Sequence, residues 1–397
     1  MKGRGALSNP AGRFARQSSE AIDDGWYAEE SPDTIATTVE PDRARTVIST
    51  NASPDIPFEY SINPYRGCEH GCIYCYARPS HGYMGLSAGI DFETRLFYKA
   101  DAGHVLETEL ARPGYVCKPI VVGANTDPYQ PVERRMLVTR SVLEVLARAR
   151  HPVSIISKSA LILRDLDLLT DLARDGLVTV AISITTLSAE TKRSLEPRTA
   201  SPQARLRVVR ELNAAGVPTG VMVAPVIPVI TDHEMEAILE AAAAAGARWA
   251  GYILLRLPHE IKDLFRDWMT QHFPDRTAHV MSLIRSMRGG QDNDPRFGSR
   301  MRGTGPVAEL LRNRFRIACK RLKLHSTSRE IPQNTQLFRQ PARAGSQLQI
   351  GFEAPLAPTA TATVSVKAYT QSDADDATGP LRNPAVDPEP AIFSADR

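Results

Sequence analysis

Nowhere in its 397 residues does the chain carry eighteen consecutive apolar side chains, so the sequence offers no segment able to cross a bilayer as a helix. The first thirty residues lack an apolar stretch and include acidic side chains, which argues against a secretory signal and makes the cytoplasm the expected location. Aromatic residues are scarce, at 6%. The five cysteines are too unevenly placed for a disulfide framework: the count is odd, and three of them fall within eight residues. That placement points to metal binding or catalysis instead.

Net charge is only +3, but it is unevenly spread. From Arg285 to Arg343 there are fourteen Lys/Arg against Asp292, Asp294, Glu309 and Glu330, a local balance of +10 that leaves −7 for the remainder. Residues 1–57 mix Pro, Ser, Asp and Gly with few apolar clusters and are expected to form a weakly ordered arm. A core domain is expected over 58–285, a basic helical extension over 286–345, and a disordered tail rich in Ala, Pro, Thr and Asp over 346–397.

Within the core, short β-branched runs at 60–63, 119–123, 153–157, 177–184, 219–224 and 249–255 predict strands. Helical patterns at 132–150, 161–175, 202–215, 232–245 and 259–272 lie between or after them, and Gly176, Gly216 and Gly246 follow three of these patterns where a helix would stop. Strands returning in one direction need long crossovers, so the pattern predicts an α/β fold: a partial (β/α)6 barrel with weakly ordered arms at both ends. In such folds chemistry sits at the C-terminal ends of the strands.

Directly after the first strand stands GCEHGCIYC, which places Cys68, Cys72 and Cys75 with three and then two residues between them. Fully extended, seven steps would span roughly 23 to 25 Å, so a shared metal site requires the loop to curl, which Gly67 and Gly71 permit. A [4Fe-4S] cluster normally takes four thiolates, and three leave one iron open to a small molecule. The competing reading is a structural zinc site with His70 or a distant histidine as fourth ligand. Zinc motifs usually pair two short-spaced couples, and Cys117 and Cys319 stand alone.

CEHGCIYC resembles the CxxxCxxC signature of the radical S-adenosylmethionine (SAM) superfamily. The segments SINPYRGCEHGCIYCYARP, GANTDPYQPVE, SKS, AISITT, LEPRTASPQARL and APVIP resemble the branch that includes spore photoproduct lyase and its uncharacterised relatives, between about residue 60 and residue 280. The resemblance implies a [4Fe-4S] cluster on the three cysteines, S-adenosyl-L-methionine on the open iron, and reductive cleavage to a 5′-deoxyadenosyl radical. It also implies a reducing partner such as flavodoxin or ferredoxin.

By the same resemblance Tyr74 lies near the adenine, Lys158 offers a cation to the cofactor carboxylate, and Ser183 offers a hydroxyl to its ribose or amino group. Arg205 is a second candidate for the carboxylate, with a salt bridge to Glu196 as the alternative. Asn125 and Asp127 are candidates near cofactor or substrate, although the Asp-Pro step also reads as an ordinary turn. Photoproduct lyases carry a hydrogen-donating cysteine in the turn after strand two, where this chain has Gly123, Ala124 and Asn125. Cys117 precedes that strand and is expected to have no catalytic role.

The substrate stays open among nucleic acid lesions, modified RNA bases, peptides and metabolites. The basic helix VAELLRNRFRIACKRLK places Val307, Leu311, Phe315, Ala318 and Leu322 on one face and Arg312, Arg316, Lys320 and Lys323 along another. That stripe makes residues 285–343 a candidate nucleic-acid surface, the alternative being a solvated face. The other functional class is a non-catalytic iron-sulfur or zinc protein whose basic segment binds nucleic acid.

Overall fold

A computed structural model describes residues 3–12, 14, 35–328 and 331–342. All six expected strands form, as β3 (Tyr60–Ile62), β6 (Ile120–Val122), β7 (Val153–Ser157), β8 (Val178–Ser183), β9 (Thr219–Val226) and β10 (Ala250–Leu254). They pair in parallel in the order β10-β9-β8-β7-β6-β3, and the sheet keeps two edges, as a partial barrel does. Every residue of β8 is buried, the mark of a parallel strand covered on both faces. Its Val178, Val180 and Ile182 belong to one core with Ile155, Val221 and Val223, and with helix residues such as Val142, Leu146, Leu169, Leu172 and Leu212.

The helices start and stop for local reasons. Ser201 accepts from the amide of Ala204 at the start of Pro202–Ala214, with proline in the first turn. Gly176, Gly216 and Gly246, the expected stops, all have positive φ. The pattern over 132–150 divides into Glu133–Met136 and Val138–Arg148, because Leu137 takes a left-handed φ of 57°.

The N-terminal arm departs from expectation. Within it, β1 (Thr38–Pro41) pairs with β5 (Arg95–Tyr98), which also pairs with β4 (Tyr65–Arg66), and β2 (Ile48–Thr50) adds antiparallel to β3. Such strands have too few apolar residues to announce themselves; their partners lie far along the chain. The basic extension is not a separate unit either. Helix Gly305–Arg321 buries Leu311, Phe315 and Ala318 in the main core, and its Arg314 bonds Glu236.

After that helix, His325 bridges the edge of the sheet beside β10. The Gln333 amide then donates to the carbonyls of Val153 and Leu177 at the base of β7 and β8. Phe338 packs on Tyr115 and His151, so Gln333 and Phe338 cover the base of the barrel. Residues 15–34 of the arm and the tail over 346–397 lie outside the described residues.

Candidate metal and cofactor site

The cysteine loop follows β4 and is tied down on every side. Cys68 N donates to Phe92 O at 2.9 Å and Ile73 N to Leu195 O at 3.1 Å, while Gln130 bonds both Glu69 N and Gly67 O. Gly67 and Gly71 have φ of 77° and 66°, and a Cβ on Gly71 would stand 2.7 Å from Glu93 Oε2. The curl required by the three-thiol spacing is therefore built by glycines that no other residue can replace without strain.

Cys68, Cys72 and Cys75 line one pocket with Tyr74, Asn125, Asp127, Lys158 and Ser183. Tyr74 belongs to the cysteine loop, and the other four come from the ends of β6, β7 and β8, where the barrel rule places chemistry. Met222 and Ala224 of β9, and Leu254 and Arg256 at the end of β10, complete the wall. The pocket, of about 180 Å³, shares Tyr76, Ala124, Ile156, Met222, Ile253 and Arg256 with a larger cavity of about 670 Å³ inside the barrel.

Asp127 is an anchor more than a free ligand. It accepts from Ser157 Oγ, Lys158 N and Tyr129 N, and lies 3.3 Å from His70 Nδ1, so it joins the loop to the top of β7. Burial would raise its pKa, but the His70 charge and these donors hold it down at about 2. Lys158 is half-buried, its ammonium 6.0 Å from the Tyr74 ring centre. Burial opposes its charge, yet attraction to Cys72 and Glu196 raises its pKa above the ordinary lysine value.

Glu196 and Arg205 do not line the pocket. Both are buried and ion-paired to each other, and Arg205 also donates to Thr199 Oγ1, Ser183 O and Ala200 O. Glu196 in turn accepts from the hydroxyls of Tyr74 and Thr185. Of the two roles open to Arg205 in the sequence, the structure shows the salt bridge. The pair acts behind the pocket, fixing Tyr74 and the end of β8. Cys117 lies before β6 and outside the pocket, with burial pushing its thiol up to about 11.

Three thiols from one loop, none in a disulfide, are the donor set that an iron-sulfur cluster takes. As free thiols they are held protonated: burial first, then the nearby Glu196 charge, pushes Cys72 up to about 12, so metal binding must release protons. Among the described residues, no three His, Cys, Asp or Glu side chains converge closely enough to hold a single ion. The Asn125 Oδ1 atom is buried against this pocket without a hydrogen-bond partner, an acceptor placed for a ligand N–H or O–H. The residues present thus fit both a cluster and a polar organic ligand beside it.

Some residues of the site have roles that their sequence context does not reveal. In sequence His70 suggests only a zinc ligand, whereas in the fold it partners Asp127. Tyr76 lies within the CYARP part of the cysteine segment with no role of its own to distinguish it, and Arg256 stands in no motif.

A parallel partial barrel with a three-cysteine loop at its C-terminal rim defines a class, and comparison with known proteins bears it out: the chain belongs to the radical SAM superfamily, whose profile matches residues 62–242. It is 35% identical over 291 residues to an uncharacterised protein of Mycobacterium tuberculosis, covering 73% of this chain and 82% of the relative. An uncharacterised protein of Methanocaldococcus jannaschii is 25% identical over 220 residues, 55% of this chain and 77% of that one. Among solved structures, a single-residue variant of spore photoproduct lyase superposes with a TM-score of 0.52 at 16% identity, covering 72% of this chain and 78% of the other. The same enzyme complexed with dinucleoside spore photoproduct gives 0.50 at 16% identity, covering 72% and 79%.

Proposed function

We propose that this protein is a radical SAM enzyme in which Cys68, Cys72 and Cys75 hold a [4Fe-4S] cluster and the adjoining pocket binds S-adenosyl-L-methionine. The observation that carries the proposal is the convergence of three thiols, Tyr74, Asn125, Lys158 and Ser183 on one pocket at the strand ends. When bound, the cluster and cofactor supply reductive cleavage to methionine and a 5′-deoxyadenosyl radical, with the electron coming from a flavodoxin or ferredoxin. Lys158, charged at neutral pH, would meet the ligand carboxylate; Asn125 Oδ1 would accept from a ligand amino or hydroxyl group; the Tyr74 ring would pack near the adenine. Asp127, already saturated with donors, positions the loop.

The larger cavity is the natural place for the second substrate, because six side chains line it and the cofactor pocket together. No thiol lines the described pocket beyond the three of the loop, so photoproduct-lyase chemistry with its cysteine hydrogen donor is not part of the proposal. The test is anaerobic reconstitution with a chemical reductant and measurement of 5′-deoxyadenosine. Its absence from a protein with a full cluster would overturn the enzymatic reading and leave the non-catalytic iron-sulfur alternative.

Lys158→Ala is expected to leave the cluster intact and to weaken S-adenosyl-L-methionine binding by about tenfold or more, roughly 1.4 kcal/mol. Calorimetric titration of the reconstituted variant measures it, and an unchanged affinity removes Lys158 from the site. Ser183→Ala is expected to act in the same direction.

A nucleic-acid substrate is a further part of the proposal. Arg302, Arg312 and Arg316 line the larger cavity alongside Arg256, so the basic stripe runs into the mouth of that space. Its reach is narrower than the sequence charge suggests, since Arg314 and Arg321 of the same helix are paired with Glu236 and Glu240. Oligonucleotide binding is expected at about 50 mM salt and to fall steeply by about 200 mM, the signature of phosphate contacts. The Arg312, Arg316 and Lys320 triple alanine variant should bind more weakly; equal binding would make the stripe a solvated face.

A further inference from the structure

A charged pair buried against the outer side of the cysteine loop takes no part in lining the pocket. The Arg78 side chain is fully buried and donates to Cys72 O at 2.9 Å, Gly71 O at 3.1 Å, Ala88 O at 3.1 Å and Gly89 O at 2.9 Å. Its remaining bond, at 2.5 Å, goes to Glu93 Oε1. One guanidinium therefore gathers the carbonyls of the loop, and one carboxylate holds that guanidinium in place.

Glu93 is also fully buried, and its other donors come from the far N-terminus. Gly5 N reaches Oε2 at 3.0 Å and Ala6 N reaches Oε1 at 2.8 Å, while Arg4 Nη1 donates to the Glu93 carbonyl at 3.0 Å. Further along, Ile90 N donates to Ser8 O, Asn9 and Asp91 exchange two bonds, and Ser87 Oγ donates to Pro10 O. The fit leaves no room for side chains at the closest points. A Cβ on Gly5 would overlap the carbonyl of Gly71, and one on Gly89 would overlap the carbonyl of Ser8.

We infer that residues 4–10 are a strap that locks the outer face of the cysteine loop through Glu93 and Arg78, holding the three thiols in place and screening them from solvent. The inference rests on the cluster reading for its purpose, but the lock itself is a property of the metal-free chain. A buried carboxylate must have its oxygens satisfied. Without the two amides of Gly5 and Ala6, Glu93 Oε2 loses its donor, the carboxylate turns to water, and Arg78 loses the partner that aims it at Gly71 and Cys72. Local opening of the loop follows while the barrel core, made of other residues, stays closed. Arg78 and Glu93 are thus positioning residues.

Gly5→Val and the milder Asn9→Ala test this in the full chain. In metal-free protein, alkylation of Cys68, Cys72 and Cys75 by iodoacetamide is followed by peptide mass, with Cys117 as internal reference. Gly5→Val is expected to speed the three loop thiols about tenfold, as local opening does, and Asn9→Ala by less, with Cys117 unchanged. After reconstitution, the visible absorption of Gly5→Val should bleach faster in air than that of wild type. Loop-thiol rates equal to wild type in Gly5→Val overturn the strap. Equal acceleration of Cys117 in both variants also overturns it, because the segment then supports the whole fold. If wild type assembles no cluster while the alkylation difference holds, the strap stands and the cluster reading fails.

Discussion

Alanine at Cys68, Cys72 or Cys75 is expected to reduce the iron and sulfide of anaerobically reconstituted protein from about four of each per chain to background. In the proposed cluster each thiolate would hold one iron, and the other candidate donors nearby already have partners: His70 lies against Asp127, Glu69 against Arg198, and Glu196 against Arg205. Cys117→Ala, by contrast, is expected to retain the full complement, since that thiol lies outside the pocket. Iron and sulfide assays with visible absorption measure both results. One tightly held zinc per chain, with no charge-transfer band, would sink the cluster reading and revive the zinc alternative.

The second large effect is expected on stability. Glu196→Ala leaves the Arg205 guanidinium buried without its carboxylate, and breaking a buried pair in this way costs about 3–5 kcal/mol. Urea unfolding of the metal-free protein should show the loss as a lower midpoint with an unchanged slope. Glu196 also carries a pH dependence. Burial would raise its pKa, but Arg205 first and Lys158 next hold it down at about 2, against an ordinary 4.5. A carboxyl depressed on folding stabilises fully above its unfolded pKa and loses that contribution as pH falls through the folded value. The stability gap between wild type and Glu196→Gln should therefore be full above about pH 5 and shrink between 4.5 and 2. A gap independent of pH across that window would mean that the ion pair does not form.

Much of the site was legible because its signals are local. The three cysteines with Gly67 and Gly71 form a self-contained motif, and Lys158 and Ser183 sit at strand ends that β-branched runs announce. Glu196 and Arg205 were legible as residues but not as a role. They lie nine positions apart across a helix start, a spacing compatible with either a ligand or each other, and only the burial of both decides for the pair.

By itself, then, the sequence determined the six parallel strands and the grouping of three cysteines in one glycine-bent loop, because periodicity and residue spacing act over a few residues. Tertiary structure alone decided that Asp127 is an anchor, that Arg205 serves Glu196, and that the basic helix packs into the core. It also decided that Gly5 and Ala6 reach Glu93, some ninety residues away. For the helix the reason is burial of its apolar face, and for the other three it is that a buried charge or amide must find a partner; in each case the partner is chosen by proximity in space, which no local pattern encodes.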